Sequence, residues 1–420
     1  MKLTNLLKTS QLFFSKGDFF HNLALESTLL KRYTQGQPIL YLWTHGKTVV
    51  IGRHQNAWRE CNLYKMGSCN IVLARRYSGG GAVYQDHGNL CFTFITDNIK
   101  DYRKENNKII SRAFQNLGIE IEVKGRNDIL LQGRKFSGSA FQLSGNKALH
   151  HGTIMVNVDR KALEEFLTPN KTKLQSKGVQ SVASRVINVK DVIPDITLEN
   201  IKTSIIEEFC KTYSIDRELV EFEIKDLKSD VSLSNRYQVI EKEQKQKGID
   251  KNMQYFNQIQ NNGMHVDTPI TKQFADYVPF NNIHIDSDKD INTFLTCNKP
   301  EIGDAIIHDQ VYKDTYKQLI SWEWRYGESP EFSTVLEKRF DWGSFQVHLD
   351  VDSSLIKQAR VYSDCLDVNL VDLFQERLHG VRCIQNDIYT SITAIDSKNS
   401  IERDQNIEEF AKWISVEAST

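Results

Sequence analysis

A glycine-rich stretch with two adjacent arginines carries the clearest chemistry in the sequence. Residues 73–89 read Leu-Ala-Arg-Arg-Tyr-Ser-Gly-Gly-Gly-Ala-Val-Tyr-Gln-Asp-His-Gly-Asn, and apolar, strand-like runs lie on both sides. Since glycine has no Cβ atom, backbone N–H groups here can approach a ligand oxygen closely, and the guanidinium groups of Arg75 and Arg76 suit carboxylate or phosphate. The stretch predicts an anion-binding loop between two strands. Three glycines alone are equally typical of a hairpin with solvated arginines.

A second motif places one lysine among small side chains, in the sequence Gly-Arg-Lys-Phe-Ser-Gly-Ser-Ala at residues 133–140. A lone lysine is usually a solvated charge, but these neighbours predict that Lys135 lies in a crowded cleft. An ammonium group there can neutralise negative charge at a carbonyl or phosphate oxygen during a reaction. Lys135 is therefore the leading catalytic candidate.

Together, the two motifs resemble the two signatures of the lipoate-protein ligase A family. Further segments that resemble the family follow in its order, at residues 22–26, 48–56, 60–62, 125–128, 150–153 and 177–186. The resemblance covers most of the sequence up to residue 190 and resumes at 321–327. Members of this family activate lipoate with ATP and transfer the lipoyl group to a protein lysine. The resemblance thus implies an ATP-dependent ligase that forms lipoyl-AMP and needs Mg²⁺.

The resemblance also implies roles for individual residues. The ATP and lipoyl-AMP site is expected to comprise Arg76, Gly79, Gly80, Gly81, Ala82, Val83, Tyr84, Asn89, Asp128 and Lys135. Lipoate is expected to contact Lys135, Arg75, Ser78, His151 and Thr153. Arg75 ranks below Arg76 because it can instead support the fold, and a histidine on a strand is more often structural than catalytic. No metal-ligand set is assigned, although Asp128 is a candidate for Mg²⁺, with a role as a turn acid as the alternative.

Two further segments carry weaker predictions. Residues 177–184 resemble the family's loop that covers the adenylate, and such a loop would exclude water from a hydrolysable anhydride. Glu26 lies within the first family-like segment, where a solvated surface acid is as good an interpretation as a site residue. The expected acceptors, again from the resemblance, are apo-lipoyl domains of 2-oxoacid dehydrogenase complexes and the glycine-cleavage carrier protein.

Other functional classes fit these residues less well. In dinucleotide-binding enzymes a glycine-rich turn joins a strand to a helix, whereas Gly79–Gly81 leads into another strand. Octanoyl or lipoyl transferases that act between carrier proteins use an acyl-cysteine, and the corresponding segment, residues 166–173, contains no cysteine. A lipoyl-domain-binding protein without activity is disfavoured because Arg76, the glycines and Lys135 are all present. Lipoyltransferases that use preformed lipoyl-AMP resemble the ligases throughout and are the main alternative.

Composition sets the broad class of the protein. A net charge of −1 over 420 residues disfavours nucleic acid and anionic membranes as general partners. Seven scattered cysteines without zinc-site spacing indicate reduced thiols, and no apolar run approaches the ~18 residues of a membrane span. The expected location is the cytoplasm. The mitochondrial matrix is the alternative, since the first 17 residues contain three lysines and no acid.

The order of predicted elements favours an α+β fold with a large, mostly antiparallel sheet, as in biotin- and lipoate-protein ligases. Asp18 is predicted to cap a helix, and Ile39–Trp43 and Thr48–Ile51 are predicted to form a hairpin. Three regions are expected. They are a catalytic lipoate- and ATP-binding domain at 1–228, a polar insertion or linker rich in Asn, Gln and Lys at 229–308, and a small α+β accessory domain at 309–420.

Overall fold

The structure is a computed structural model that describes residues 12–167, 185–215, 295–296, 306, 308–327, 334–352 and 354–419. These residues form two domains, each with a β-sheet and packed helices, so the predicted α+β fold is confirmed. No helix in this part of the chain is long and apolar enough to cross a membrane.

An eight-stranded sheet forms the centre of the first domain. Its strands are β1 (Leu12–Ser15), β2 (Ile39–Trp43), β6 (Asn89–Asp97), β7 (Glu122–Lys124), β8 (Asp128–Leu131), β9 (Arg134–Ser144), β10 (Lys147–Met155) and β11 (Leu295–Thr296). They lie in the order β11-β1-β2-β6-β10-β9-β8-β7. Every neighbouring pair is antiparallel except β1 with β2, which confirms the mostly antiparallel sheet.

A second, three-stranded sheet corrects one prediction. In this sheet β3 (Thr48–Ile51) pairs in parallel with β4 (Val72–Arg75) and antiparallel with β5 (Val83–Gln85). The predicted hairpin is therefore wrong, because β2 pairs with β1 and β6 in the large sheet while β3 belongs to the small one. Since β4 and β5 flank β3, the glycine-rich stretch between them passes over the end of β3.

Helices cover both faces of the large sheet. The helices of the first domain are α1 (Phe19–Arg32), α2 (Ala57–Glu60), α3 (Leu63–Ser68), α4 (Tyr102–Asn116), α5 (Arg160–Phe166), α6 (Leu198–Tyr213), α7 (Gln310–Ile320) and α8 (Trp322–Tyr326). Asp18 caps α1 as predicted, because its carboxylate accepts from the backbone N–H of His21 at 2.9 Å. Tyr41 and Trp43 of β2 pack with α1, whereas Leu40 and Leu42 pack with α4 and α6. Burial on both faces explains why β2 is apolar throughout.

The helices α7 and α8 pack with the first domain, although the predicted accessory domain begins at residue 309. Tyr312 and Leu319 of α7 lie in the core that α1 and β2 build. Strand β11 and Ile306, from the predicted insertion, also join the first domain. We therefore propose that the domain boundary lies between residues 327 and 334.

The second domain is a three-stranded antiparallel sheet covered by three helices. Its elements are β12 (Thr334–Phe340), β13 (Gly343–Asp352), β14 (Leu355–Ser363), α9 (Val368–Leu378), α10 (Gln385–Thr393) and α11 (Ile401–Glu417). Alternate residues Phe345, Val347 and Leu349 of β13 enter a core with the helices, and the rings of Phe374 and Phe410 stack 3.9 Å apart. The predicted small α+β accessory domain is confirmed. The polar segment 235–262 and the adenylate-covering loop 177–184 lie outside the described residues.

Candidate functional site

A cavity of about 240 Å³ lies between the glycine loop, strands β9 and β10, helix α1 and the second domain. The predicted site residues that line it are Arg76, Gly80, Gly81, Ala82, Val83, Asp128, Lys135, His151 and Thr153. A larger cleft of about 1100 Å³ adjoins it and shares Lys135 and Asp128 with it. Tyr84 and Asn89, also predicted, line this cleft. The structure thus brings most of the predicted residues together.

Strand register gives the cavity a direction. Gly138 of β9 faces Thr153 of β10, Thr153 faces Cys91 of β6, and Cys91 faces Trp43 of β2. A Cβ atom on Gly138 would lie 2.9 Å from Nζ of Lys135, so the ammonium lies directly over this glycine. Three strand spacings of ~4.8 Å separate the two ends of this row by about 14 Å. One end therefore carries a cation, and the other is apolar.

Lys135 is paired with an acid at the mouth of the cavity. Its Nζ lies 2.7 Å from Oδ1 of Asp128, and each side chain is about one-third exposed, at 34% and 33%. Such a pair contributes little to stability, and an anionic ligand can replace the carboxylate without leaving a buried charge behind. Arg126 and Asn127, the two residues before Asp128, also line the cavity. In the described part of the chain no group of three metal-binding side chains occurs.

Arg76 shapes the glycine loop from within. Its Nη2 donates to the carbonyl oxygens of Gly79 at 2.7 Å and Gly81 at 2.9 Å, and its Nε donates to Oγ of Ser78 at 3.1 Å. Burial lowers the pKa of Arg76 to about 10, which leaves the guanidinium charged at neutral pH. Because the guanidinium binds the loop's carbonyl groups, the loop is fixed with little freedom to relax. Gly80 has a φ of +94°, a conformation that favours glycine.

Arg75 has a different environment from its neighbour. Its guanidinium donates to the carbonyl oxygens of five residues, namely Gly52, Arg53, Gln55, Trp324 and Arg325, at 2.6–3.2 Å. Arg75 is not among the described residues that line the cavity. The structure therefore places Arg75, predicted as a lipoate contact, in a bracing position between two distant segments.

A buried chain of hydrogen bonds runs from α1 to the glycine loop. The carboxylate of Glu26 lies 3.0 Å from Nδ1 of His151, and it accepts from the hydroxyl of Thr93 at 2.5 Å. Nε2 of His151 lies 2.7 Å from Oγ of Ser78, which accepts from Arg76. Glu26 is only 4% exposed, so it is not the solvated acid that the sequence also allowed. These hydrogen bonds connect helix α1, which contributes to the apolar wall of the cavity, to Arg76, which shapes the glycine loop.

The second domain completes the cavity. Asp364, Leu366 and Arg339 line it, and Leu366 also packs against Phe141 of the first domain. A Cβ atom on Gly79 would lie 2.0 Å from the carbonyl oxygen of Cys365, so this glycine is needed for the close approach of the two domains. Gly79 itself lies beneath the second domain and outside the cavity lining.

Comparisons with known proteins agree with this geometry. Residues 18–210 match the model of the lipoyl protein ligase A/B catalytic domain, and residues 329–414 match that of the bacterial lipoate protein ligase C-terminus. The chain is 33% identical over 413 residues to lipoate–protein ligase 1 of Plasmodium falciparum, which covers 94% of this chain and 91% of that protein. It is 30% identical over 393 residues to lipoate-protein ligase A of Psychrobacter cryohalolentis, which covers 94% of each. The chain belongs to the lipoate-protein ligase family.

A solved structure of a related protein matches this chain over nearly its whole length. The crystal structure of P. falciparum LipL1 in complex with lipoate matches with a TM-score of 0.69 at 26% identity, covering 97% of this chain and 99% of that one. The family assignment made from the two motifs is confirmed, and the enzyme is a lipoate-protein ligase. The roles of its individual residues stay predictions.

The sequence left the role of Glu26 open and gave no indication of the residues that the second domain contributes to the cavity. Glu26 follows Phe19 and Leu23 at helical spacing and precedes Leu30, so it falls on the apolar, buried face of α1. An acid on that face was the signal that pointed to a buried partner. Arg339, Asp364 and Leu366 come from another domain, and no local pattern in the sequence indicates which face of that domain meets the glycine loop.

Proposed function

We propose that this ligase activates lipoate with ATP to give lipoyl-AMP and pyrophosphate, and then transfers the lipoyl group to a lysine of apo-lipoyl domains. The acceptors proposed are the lipoyl domains of 2-oxoacid dehydrogenase complexes and the glycine-cleavage carrier protein. The observation that carries the proposal is the row from Lys135 to Trp43, which offers a cation for a carboxylate and an apolar wall for an acyl chain. The compartment in which the enzyme acts stays a prediction.

In the activation step a lipoate oxygen attacks the α-phosphorus of ATP, and the bond from that phosphorus to the pyrophosphate oxygen breaks. Negative charge grows on the α-phosphate oxygens in the transition state. Gly80, Gly81 and Ala82 line the cavity, so their backbone N–H groups can meet this charge, and a well-placed donor is worth ~3–4 kcal/mol there. Arg76 supports the step by fixing the loop that carries these groups.

In the transfer step the acceptor amine attacks the lipoyl carbonyl, AMP leaves with the bonding electrons, and the amine loses a proton. Lys135 can neutralise charge on the phosphate oxygens in the first step and on the carbonyl oxygen in the second. Both steps take place at the same carbon–oxygen–phosphorus junction, so one cation can serve both. His151 and Thr153 line the path of the acyl chain beside it.

Asn89 is well suited to bind the adenine base. It is 1% exposed, and neither Oδ1 nor Nδ2 has a hydrogen-bond partner among the described residues. An unpaired buried amide costs ~1–3 kcal/mol, so a ligand that offers both a donor and an acceptor is favoured there. Adenine presents such a pair at N6 and N7. Val83 and Tyr84 line the same cleft.

Asp128 fits a role at Mg²⁺. Magnesium in nucleotide sites is held by one or two carboxylates together with the phosphates, and Asp128 supplies a partly exposed carboxylate beside Lys135. When bound, the ion would neutralise phosphate charge. Asp128 is the residue that would hold the ion, next to the ammonium of Lys135.

The cysteines in the described part of the chain give poor support for an acyl-cysteine mechanism, as in carrier-to-carrier transferases. Cys91 lines the cavity, but burial raises the pKa of its thiol, so the nucleophilic thiolate is suppressed. Burial raises the pKa of Cys61 as well.

The deciding experiment compares two routes to the same product. Purified ligase with lipoate and Mg·ATP, without acceptor, should release pyrophosphate. With an apo-lipoyl domain, mass spectrometry should show one lipoyl group added from lipoate plus ATP and also from lipoyl-AMP. Labelling from lipoyl-AMP alone would instead identify a lipoyltransferase.

A further inference from the structure

The inner end of the cavity combines apolar walls with one polar side chain. Phe19, Leu23, Trp43 and Val50 form the walls, and all four belong to or pack against the core around α1. Gln85, the last residue of β5, is the polar side chain at this end. A hydrocarbon chain offers this amide no hydrogen bond, and a buried polar group that lacks a partner in the ligand destabilises the complex.

Gln85 is held in place by two neighbours. Its Oε1 lies 2.6 Å from Nε2 of His45, and the thiol of Cys91 donates to the same oxygen at 3.7 Å. His45 in turn lies 2.8 Å from the carbonyl oxygen of Gly46 through Nδ1. Burial lowers the pKa of His45 to about 4, so the ring is neutral and adds no charge beside Gln85. Gln85 therefore presents a fixed, uncharged amide edge to the cavity.

The position of Gln85 matches the far end of the acyl chain. Cys91, which contacts Gln85, lies in the row that begins under Lys135, two strand spacings or ~10 Å away. With its carboxylate at Lys135, lipoate places its dithiolane ring at this end, whereas octanoate places a methyl group there. The ring sulfur atoms can accept a weak hydrogen bond from Nε2 of Gln85, whereas a methyl group offers this nitrogen no acceptor.

We propose that Gln85 determines specificity by giving the ligase a preference for lipoate over octanoate. This inference rests on the proposed function, because it takes the carboxylate to lie at Lys135. The apolar walls distinguish the two acids by size alone. The amide distinguishes them by the chemistry of their far ends.

The test is the ratio of kcat/KM for lipoate to that for octanoate, measured by acid-dependent pyrophosphate release. In Gln85→Met, the side chain keeps nearly the same length and volume but loses the amide, so the ratio should fall roughly tenfold. Part of the change should be a higher kcat/KM with octanoate, which a general loss of stability cannot produce. Gln142→Met serves as the matched control, since Gln142 lies on β9 outside the cavity lining, and its ratio should equal that of the wild type.

Two outcomes would overturn the inference. One is an unchanged ratio in Gln85→Met, and the other is an equal loss with both acids. Calorimetric binding of the two acids without ATP gives the same comparison independently of catalysis. If the wild type binds lipoate and yet releases no pyrophosphate, the proposed activation step fails, while the binding ratio still decides the role of Gln85.

Discussion

The two sides of the cavity mouth are held in different ways. The glycine loop is fixed by Arg76, whose buried guanidinium binds the loop's own carbonyl groups, and by the second domain that rests on Gly79. Lys135 on the opposite side is one-third exposed and ion-paired with Asp128. Fixed backbone donors suit a charge that develops in one place. A movable cation suits a charge that shifts from phosphate to carbonyl between two steps.

Removing the movable cation should have the largest effect. Lys135→Ala is expected to slow both activation and transfer by on the order of 10²-fold or more, with nearly unchanged melting temperature, because its ion pair is partly exposed. Lys135→Arg should not restore activity, since a wider planar guanidinium cannot reproduce the position of Nζ close over Gly138. Single-turnover lipoylation from ATP plus lipoate and from lipoyl-AMP measures the two steps separately.

Lys108→Ala is the control for this experiment, because Lys108 forms an exposed ion pair on α4, remote from the cavity. It should retain wild-type rates in both assays. Near-normal transfer from lipoyl-AMP by Lys135→Ala would confine the lysine to activation. It would contradict the claim that one movable cation serves both steps.

Disturbing the fixed side should have the next largest effect. In Gly80→Ala, a φ of +94° becomes strained and the new methyl group lies 2.9 Å from Nη2 of Arg76, so the guanidinium must shift. Pyrophosphate release should fall by roughly tenfold to a hundredfold.

Gly145→Ala separates this effect from backbone strain. Gly145 has a φ of +61°, and no atom lies within 4 Å of the position that a methyl group would occupy, so this variant should lose about 1–2 kcal/mol of stability and little activity. Equal activities in the two variants would show that the loop is not preorganised by Arg76.

A smaller effect is expected at the buried end of the hydrogen-bond chain. Glu26→Gln keeps the shape of the side chain but removes the charge that fixes His151, so activation should slow by roughly tenfold or less. Ser78→Ala interrupts the same chain at its other end. If both act through Arg76, the double variant should be no slower than the worse single variant. Additive losses would mean that the two residues act independently.

The smallest effects should come from the buried cysteines Cys91 and Cys61. Cys91→Ser and Cys61→Ser should keep turnover within a few-fold of the wild type, because neither thiol is a nucleophile in the proposed mechanism. Intact-mass spectrometry after incubation with lipoyl-AMP should find no acyl group on either position. A thioester at Cys91 would replace the proposed mechanism with covalent catalysis.

Local sequence patterns predicted most of the elements that form the cavity. The glycine loop between two strands and the cap at Asp18 follow from short-range signals such as turn residues and capping chemistry. Lys135 and the glycines could be found because their motifs are contiguous in the sequence.

What sequence reasoning missed depends on contacts between distant residues. The predicted hairpin at 39–51 failed because β3 finds its partners at Val72–Arg75 and Val83–Gln85 instead of next to it. The same holds for the second domain, where Asp364 and Leu366 reach the cavity through packing that no periodicity encodes. Arg75 and Arg76 are neighbours with the same side chain. Only the fold decides that Arg75 braces two distant segments and that Arg76 shapes the glycine loop.

The bracing position of Arg75 has a consequence for how the protein is made. Its guanidinium needs the carbonyl oxygens of Trp324 and Arg325, and Arg325 returns a hydrogen bond to Leu73 on the same strand. Arg75 and Trp324 are 249 positions apart, which a ribosome working at ~5–20 residues per second spans in about 12–50 s. During that interval the nascent chain lacks two of the acceptors of this arginine. The strand that leads into the glycine loop therefore acquires its final hydrogen bonds only after most of the chain has been synthesised.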